Sequence, residues 1–377
     1  MAGTKTYLTL VNNVLQELNE VELTSSTFSS SRGIQTAVKT FVNKAVNDLY
    51  TAEVEWPWLY TSTTQDVNSG QQEYTFPTAF RKADFDSFYL IPKELVTNGE
   101  FTSNINNWTT IAGSGSASYS STGNGRLLLN DFAAHQTIST VVNKTYRIQV
   151  RALDSVGTGQ AFKIQVGTSA EDTTNLNATL TVSDFGQGKI LDETFVATSQ
   201  STVITLNNPT TATNMLVDFV RVSEADILPT KLQYVSYENY LQGIIHRDKV
   251  NSSDHYAKPQ SVYRTNDNLG FGISPIPDRD TYQVNYQYYK SHTELSSATD
   301  TLDLPDIYSD TIVNRAKYYA YKLRSDIPSA NIANAEYEDG VKRIRIESLN
   351  RQDYMKDTRV NVEMSSRGAV TNPVFTY

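Results

Sequence analysis

Between residues 98 and 226 the sequence reads as β throughout, and this run separates two flanks of a different character. Apolar and polar residues alternate at 144–151, 160–167, 178–182, 203–206 and 215–222, with clusters of Gly, Asn and Ser between them. Period-two alternation puts one face of each strand into a core, and many short strands joined by such turns predict a β-sandwich or jelly roll. Composition shifts at the same places: 18 of these 129 residues are charged and 9 aromatic, against 55 and 31 of the other 248.

The flanks carry helices. Leu8, Val11, Leu15 and Leu18 make one apolar stripe. Ile34, Ala37, Val38, Phe41, Ala45, Val46 and Leu49 make a stronger one, with Ser30 or Ser31 expected as its cap and Pro57 beyond its end. Strands are expected at 71–76 and 84–91. After residue 226 come strand patterns at 261–264, 269–273 and 281–290, the last placing Tyr282, Val284, Tyr286 and Tyr288 on one face. Ile312, Val313, Ala316, Tyr319, Ala320 and Leu323 form a third helical stripe. Asp326–Ile327–Pro328 breaks it, and a more charged helix spans about 330–350. From residue 358 the periodicity is lost and an extended arm is expected.

Neither flank has strands enough for a stable sheet, so the two are expected to pair across the insertion. The expected fold is α+β: a helical core with a small antiparallel sheet, interrupted by an inserted β-sandwich of the jelly-roll kind. The corresponding segments are 1–96, 97–226, 227–357 and an arm at 358–377.

The chain has 377 residues, a net charge of -9 and no cysteine. Its acidic balance disfavours sequence-specific nucleic-acid binding. Lack of cysteine excludes disulfides, thiolate zinc sites and thiol catalysis, and fits assembly in a reducing cytoplasm. No basic segment leads into an apolar run at the start, and no run approaches 18 apolar residues, so neither an export signal nor a membrane-spanning helix is expected. His135, His246, His255 and His292 show no metal-ligand spacing. Asp278 and Asp280 sit in a turn, and Asp303 and Asp306 flank Pro305 at a helix start, so turn and cap roles are expected. The Gly/Ser run at 113–125 leads into a strand-like RLLLND without the lysine and helix a phosphate loop needs. No Gly-x-Ser-x-Gly occurs, and no enzyme activity is expected. The surplus of Tyr outside the β region fits sugar stacking or, preferably, a protein interface.

Two resemblances bear on function. LVTNGEFTSNINNWTT (95–110) and MLVDFVRVSEA (215–225) resemble the opening and the closing strand of galactose-binding-like jelly rolls, as in carbohydrate-binding modules of the cellulose- and xylan-binding type. In such modules these segments often share a structural calcium, which by resemblance implicates Glu100 and Asp218. The other reading is a turn Glu and a hydrogen-bonded Asp. Apart from that calcium, no cofactor is expected. Trp108 takes a core position in the motif, so a glycan face would fall to Tyr119, Phe132 or Phe185.

The flanks, with WPWLY, SGQQEYTFP, DFDSFYLIP, LPTKLQYVSYENYLQ and IYSDTIVNRAKYYAYKLRSD in that order, are similar to the head-to-tail adaptor of short-tailed phages, the tail tubular protein A type. That resemblance implies a virion protein assembled in the host cytoplasm, a connector present as a twelve-fold ring. Its partners would be the portal protein and the tail nozzle protein, with DNA passing through unread during ejection and no membrane contact. The ring interface would use Ile34, Val38, Phe41, Ala45, Leu49, Ile312, Ala316, Tyr319 and Leu323. A portal-binding arm would use Thr358, Val360, Val362, Val370, Pro373, Val374, Phe375 and Tyr377. The alternative is a tail or surface adhesin that binds glycan through the jelly roll.

Overall fold

The computed structural model describes residues 3–111, 115–154, 160–182, 188–209, 214–248 and 255–348. Helices α1 (Tyr7–Glu17) and α2 (Ile34–Ala52) precede strands β1 (Tyr60–Val67), β2 (Glu73–Thr75) and β3 (Phe80–Pro92). Then come β4 (Thr109–Ile111), β5 (Ser116–Ser120), β6 (Arg126–Asn130), β7 (Phe132–Ser139) and β8 (Thr145–Asp154). They are followed by β9 (Gln160–Gly167), β10 (Leu176–Val182), β11 (Lys189–Val196), β12 (Ser201–Asn208) and β13 (Met215–Glu224). The rest contains β14 (Thr230–Lys231), β15 (Gln233–Tyr234), short turns α3 (Tyr237–Asn239) and α4 (Ile245–Asp248), β16 (Ser261–Arg264), β17 (Gly270–Ser274) and β18 (Tyr282–Lys290). Helices α5 (Ser309–Leu323) and α6 (Ile327–Ser348) close the described chain.

The chain divides into two compact units. One gathers residues up to Thr63, Phe76–Phe85 and those from Tyr286 on; the other gathers Thr64–Thr75 and Asp86–Asn285. The division therefore departs from the segments expected at 96/97 and 226/227. Residues 86–96 and 227–285 join the sandwich's unit because they bond to it. Leu95 N donates to Val222 O at 2.9 Å, and an Arg279 Nη reaches Glu224 at 2.9 Å and Asp226 at 2.8 Å.

In the first unit α1, α2, α5 and α6 share one hydrophobic core. Thr6 caps α1, its hydroxyl accepting from Thr9 N at 3.2 Å. Helix α2 is not capped by Ser30 or Ser31. Gly33 stands at its N-cap with φ 55°, while Ser31 O accepts from the Thr36 hydroxyl. Trp56 closes the far end, fully buried, donating its ring N–H to Leu49 O at 3.0 Å and stacking on Trp58 at 4.8 Å. The amino-terminal segment is stitched to the start of α5: Asp306 accepts from Thr4 N and Lys5 N at 2.9 Å, and Gly3 N donates to Leu302 O. Asp306 thus anchors a neighbouring strap of chain, a role that cap spacing does not reveal.

In the second unit, two five-stranded sheets, β10-β9-β12-β7-β4 and β11-β8-β13-β6-β5, make the expected sandwich. Its interior is the alternating set Leu127, Leu129, Ile148, Val150, Met215 and Val217 from one sheet with Phe162, Ile164, Val166, Ile204 and Leu206 from the other. Each such side chain contributes about 1.5–3 kcal/mol by leaving water.

Two further sheets have the orders β1-β18-β3-β14 and β15-β16-β17-β2, each mixing strands from before and after the sandwich. The expected cross-insertion pairing is therefore present, but in two sheets where one was expected, and β15 runs parallel to β16. On β18, Tyr282, Val284, Tyr286 and Tyr288 are all buried, as the alternation predicts.

Candidate assembly surfaces

Most residues expected at a ring interface are inside the chain's own core. Val38, Ala45, Leu49, Ile312 and Ala316 are fully buried, Ile34 packs on the same cluster, and Phe41 lies against Tyr319 at a ring separation of 5.9 Å. A helical stripe has the same spacing whether it meets another helix of its own chain or a neighbouring subunit. Here α5 packs against α1, α2 and α6, which use up the stripe. Leu323 alone among the nine residues is largely exposed, at 57%.

Arg315 locks these helices together. Its Nε donates to Asp48 on α2 at 2.6 Å and an Nη to Asn334 on α6 at 2.6 Å, while its guanidinium covers the rings of Tyr318, Tyr319 and Tyr337. The Tyr319 hydroxyl also donates to Asp48. Burial, with that carboxylate beside it, pushes the phenol up to about 12. Several of the tyrosines that the sequence suggested for an interface are thus spent inside: Tyr7, Tyr50, Tyr240, Tyr263, Tyr282 and Tyr286 are all buried.

The unit presents other apolar groups to solvent. On α6 the inward positions are Ala330, Ala333, Tyr337, Val341 and Ile344, whereas Ile332 (63%) and Ile346 (54%) point out. Ile307, just before α5, is 77% exposed. It borders a groove of about 370 Å³ whose other lining includes Asp310, Glu336, Asp339 and Arg343. A larger groove of about 550 Å³ runs along α2, lined by Thr36, Lys39, Asn43, Lys44 and Asn47 and by Tyr7 and Leu295. These surfaces carry no sequence periodicity of their own; exposed aliphatics on an otherwise charged helix are their only signal.

In the sandwich the motif residues have structural tasks. Strand β6 pairs with β13 only at Met215–Val217, and the segment 94–99 takes over along the exposed edge beyond it. Glu94 accepts from Val222 N at 2.7 Å and Val220 N donates to Gly99 O at 2.9 Å. Burial pushes the Glu94 carboxyl up although the N–H groups of Val222 and Val96 both donate to it. Asn98 bonds Asn104 O and Asn106 O, and Trp108 donates to Asn98 O and packs on Phe101 at 5.6 Å.

Asp218 sits where the register of β13 shifts, and Arg126 (2.9 Å) and Arg151 (2.8 Å) both bind it; Glu100 pairs with Arg221 at 2.7 Å. Both carboxylates considered for calcium are thus engaged by guanidinium groups, which compete with a cation for the same lone pairs. Among the described residues no group of three His, Asp or Glu side chains is arranged to hold a metal ion.

Of the residues considered for glycan contact, Phe132 packs on the sandwich core and Tyr119 donates its hydroxyl to Thr102 O at 3.1 Å. Phe185 and the whole arm, Thr358 to Tyr377, lie outside the described residues. Asp278 accepts from Tyr282 OH four residues on, the local role expected, whereas Asp280 accepts from Ser69 N, 211 positions away, and Asp303 pairs with Lys290 while no side chain caps α5. Among the described residues no helix is long and apolar enough to cross a membrane.

A CBM4 carbohydrate-binding module is 18% identical, covers 34% of this chain and 98% of its own, and gives a TM-score of 0.29. The CBM22-1 xylan-binding domain of Paenibacillus barcinonensis Xyn10C is 13% identical over 37% of this chain and 98% of its own, with a TM-score of 0.29. The enzymatically active domain of bacteriophage CBA120 tailspike protein 4 is 13% identical over 35% of this chain and 21% of its own, again with a TM-score of 0.29. No curated protein sequence matches. The sequence pattern of the SU10 adaptor protein matches residues 162–363, from β9 inside the sandwich through α6 and beyond. That match spans more than half of the chain, which therefore belongs to the SU10 adaptor protein family, a family of phage adaptors.

Proposed function

We propose that the chain is a structural, non-catalytic component of a phage virion that forms a ring between the portal protein and the tail nozzle. The observation that carries this reading is the adaptor match over residues 162–363, which takes in the helices α5 and α6 and the strands before them. By resemblance to head-to-tail adaptors the ring is twelve-fold, and residues 358–377 form the arm that reaches the portal. An acidic chain of net charge -9 suits the wall of a DNA conduit, because like charge discourages the passing duplex from sticking.

Co-sedimentation with the portal protein encoded in the same genome, followed by negative-stain imaging, tests it. The expected result is a ring capping the portal that is lost when residues 358–377 are removed. A chain that ignores the portal and is absent from purified virions overturns the reading.

A further inference from the structure

We infer that Asn124 is a site of spontaneous chemical modification in the folded protein. Its side-chain amide is lost as ammonia, leaving aspartate or isoaspartate in the turn between β5 and β6. This is independent of the ring proposed above. The chain holds two Asn-Gly pairs, Asn98–Gly99 and Asn124–Gly125. Glycine has no side chain to block its backbone nitrogen from reaching the preceding amide carbon, so both pairs can react in an unfolded chain. The glycine nitrogen attacks the asparagine Cγ and a C–N bond forms. The glycine N–H proton and the amide NH2 leave together as ammonia, and a five-membered succinimide remains. Water then opens one of its two carbonyls, giving aspartate or isoaspartate.

The fold treats the two pairs differently. The Asn98 amide nitrogen donates to Asn104 O at 3.0 Å, Asn104 Oδ1 at 3.1 Å and Asn106 O at 3.0 Å, and its backbone carbonyl accepts from the Trp108 ring at 3.3 Å. Gly99 O accepts from Val220 N at 2.9 Å, in a backbone so close to β13 that a Cβ would lie 2.1 Å from Val220 O. Turning the Asn98 amide carbon onto Gly99 N breaks the amide's hydrogen bonds while the segment stays pinned. Losing bonds of that number slows the reaction about a hundredfold.

Asn124 has no such restraint. It is exposed, in the turn 121–125 that joins Ser120 to Arg126, the last facing pair of β5 and β6. Among the described residues its amide has no hydrogen-bond partner. Glycines stand on both sides of it, at φ 70° and 102°, so no Cβ of a neighbour crowds the ring that forms. Each event adds one negative charge to the turn. The isoaspartate branch also inserts a backbone carbon before Gly125, where a Cβ would lie 2.2 Å from Phe101 O. The fold therefore selects which of two chemically equal sites changes as the protein ages.

The test incubates the purified full-length chain at mildly alkaline pH, once folded and once in denaturant. Cleavage after Glu100 and Arg126 then puts the two sites on separate peptides for mass spectrometry. In the folded chain Asn124 should convert to a mixture of aspartate and isoaspartate, with Asn98 slower by about a hundredfold. In denaturant the two should convert at similar rates. Asn124→Gln, which cannot close a five-membered ring, should lose the folded-state conversion and keep that of Asn98 in denaturant. An Asn124 that stays intact in the folded chain, or a folded-state Asn98 that converts as fast, overturns the inference.

Discussion

His292 is a single residue whose titration the fold opposes. Its ring lies 5.0 Å from that of Tyr50, and burial, followed by the nearby Arg81 charge, pushes its pKa below the usual 6.5. Between the depressed value and 6.5 the unfolded chain binds a proton that the folded one refuses, so stability falls as pH drops through that window. Thermal melts of the wild type and of His292→Gln at pH 8 and pH 5.5 should show the larger acid-induced loss in the wild type. Equal losses would mean that this ring titrates freely in the fold. The same scale shows what sequence cannot tell: resemblance implicates Asp218 and Glu100 in a shared calcium, yet both are held by arginines. Their arginine partners lie between 67 and 121 positions away, where no spacing rule reaches.

Among elements, the strands of the sandwich were the most legible, because alternation at period two is a local property of a half-buried strand. Strand β9 lies at 160–167 and β16 at 261–264, as read from sequence, while β7 and β11 were not anticipated. On β11 the apolar residues Ile190, Leu191 and Val196 do not keep a single inward face, and only Phe195 is buried. Helix stripes were equally legible as helices, yet their partner was misjudged, since periodicity shows that a face is covered but not by what. The segment 94–99 belongs to this scale too. A methyl group on Gly99 would sit 2.1 Å from Val220 O, so Gly99→Ala must displace the segment from β13. The expected cost is about 1–3 kcal/mol, as for overpacking elsewhere. Chemical denaturation should detect it, with Gly243→Ala, where no atom lies within 4 Å, as a control that loses nothing.

At the scale of the whole molecule, the chain enters the sandwich alongside the strand by which it leaves: Leu95 N donates to Val222 O at 2.9 Å, two residues before the end of β13. Replacing residues 97–224 with a short Gly-Ser linker should therefore leave the helical unit's core, from Leu10 to Ile344, with its own cooperative melting transition in calorimetry. Loss of that transition would show that the unit depends on the sandwich to fold.

The closeness of those two points also bears on inheritance. A stretch of chain that enters beside the strand by which it leaves can be lost or exchanged with little change in the distance its neighbours must span, so recombination in the DNA encoding the sandwich need not disturb the closing of the helical core.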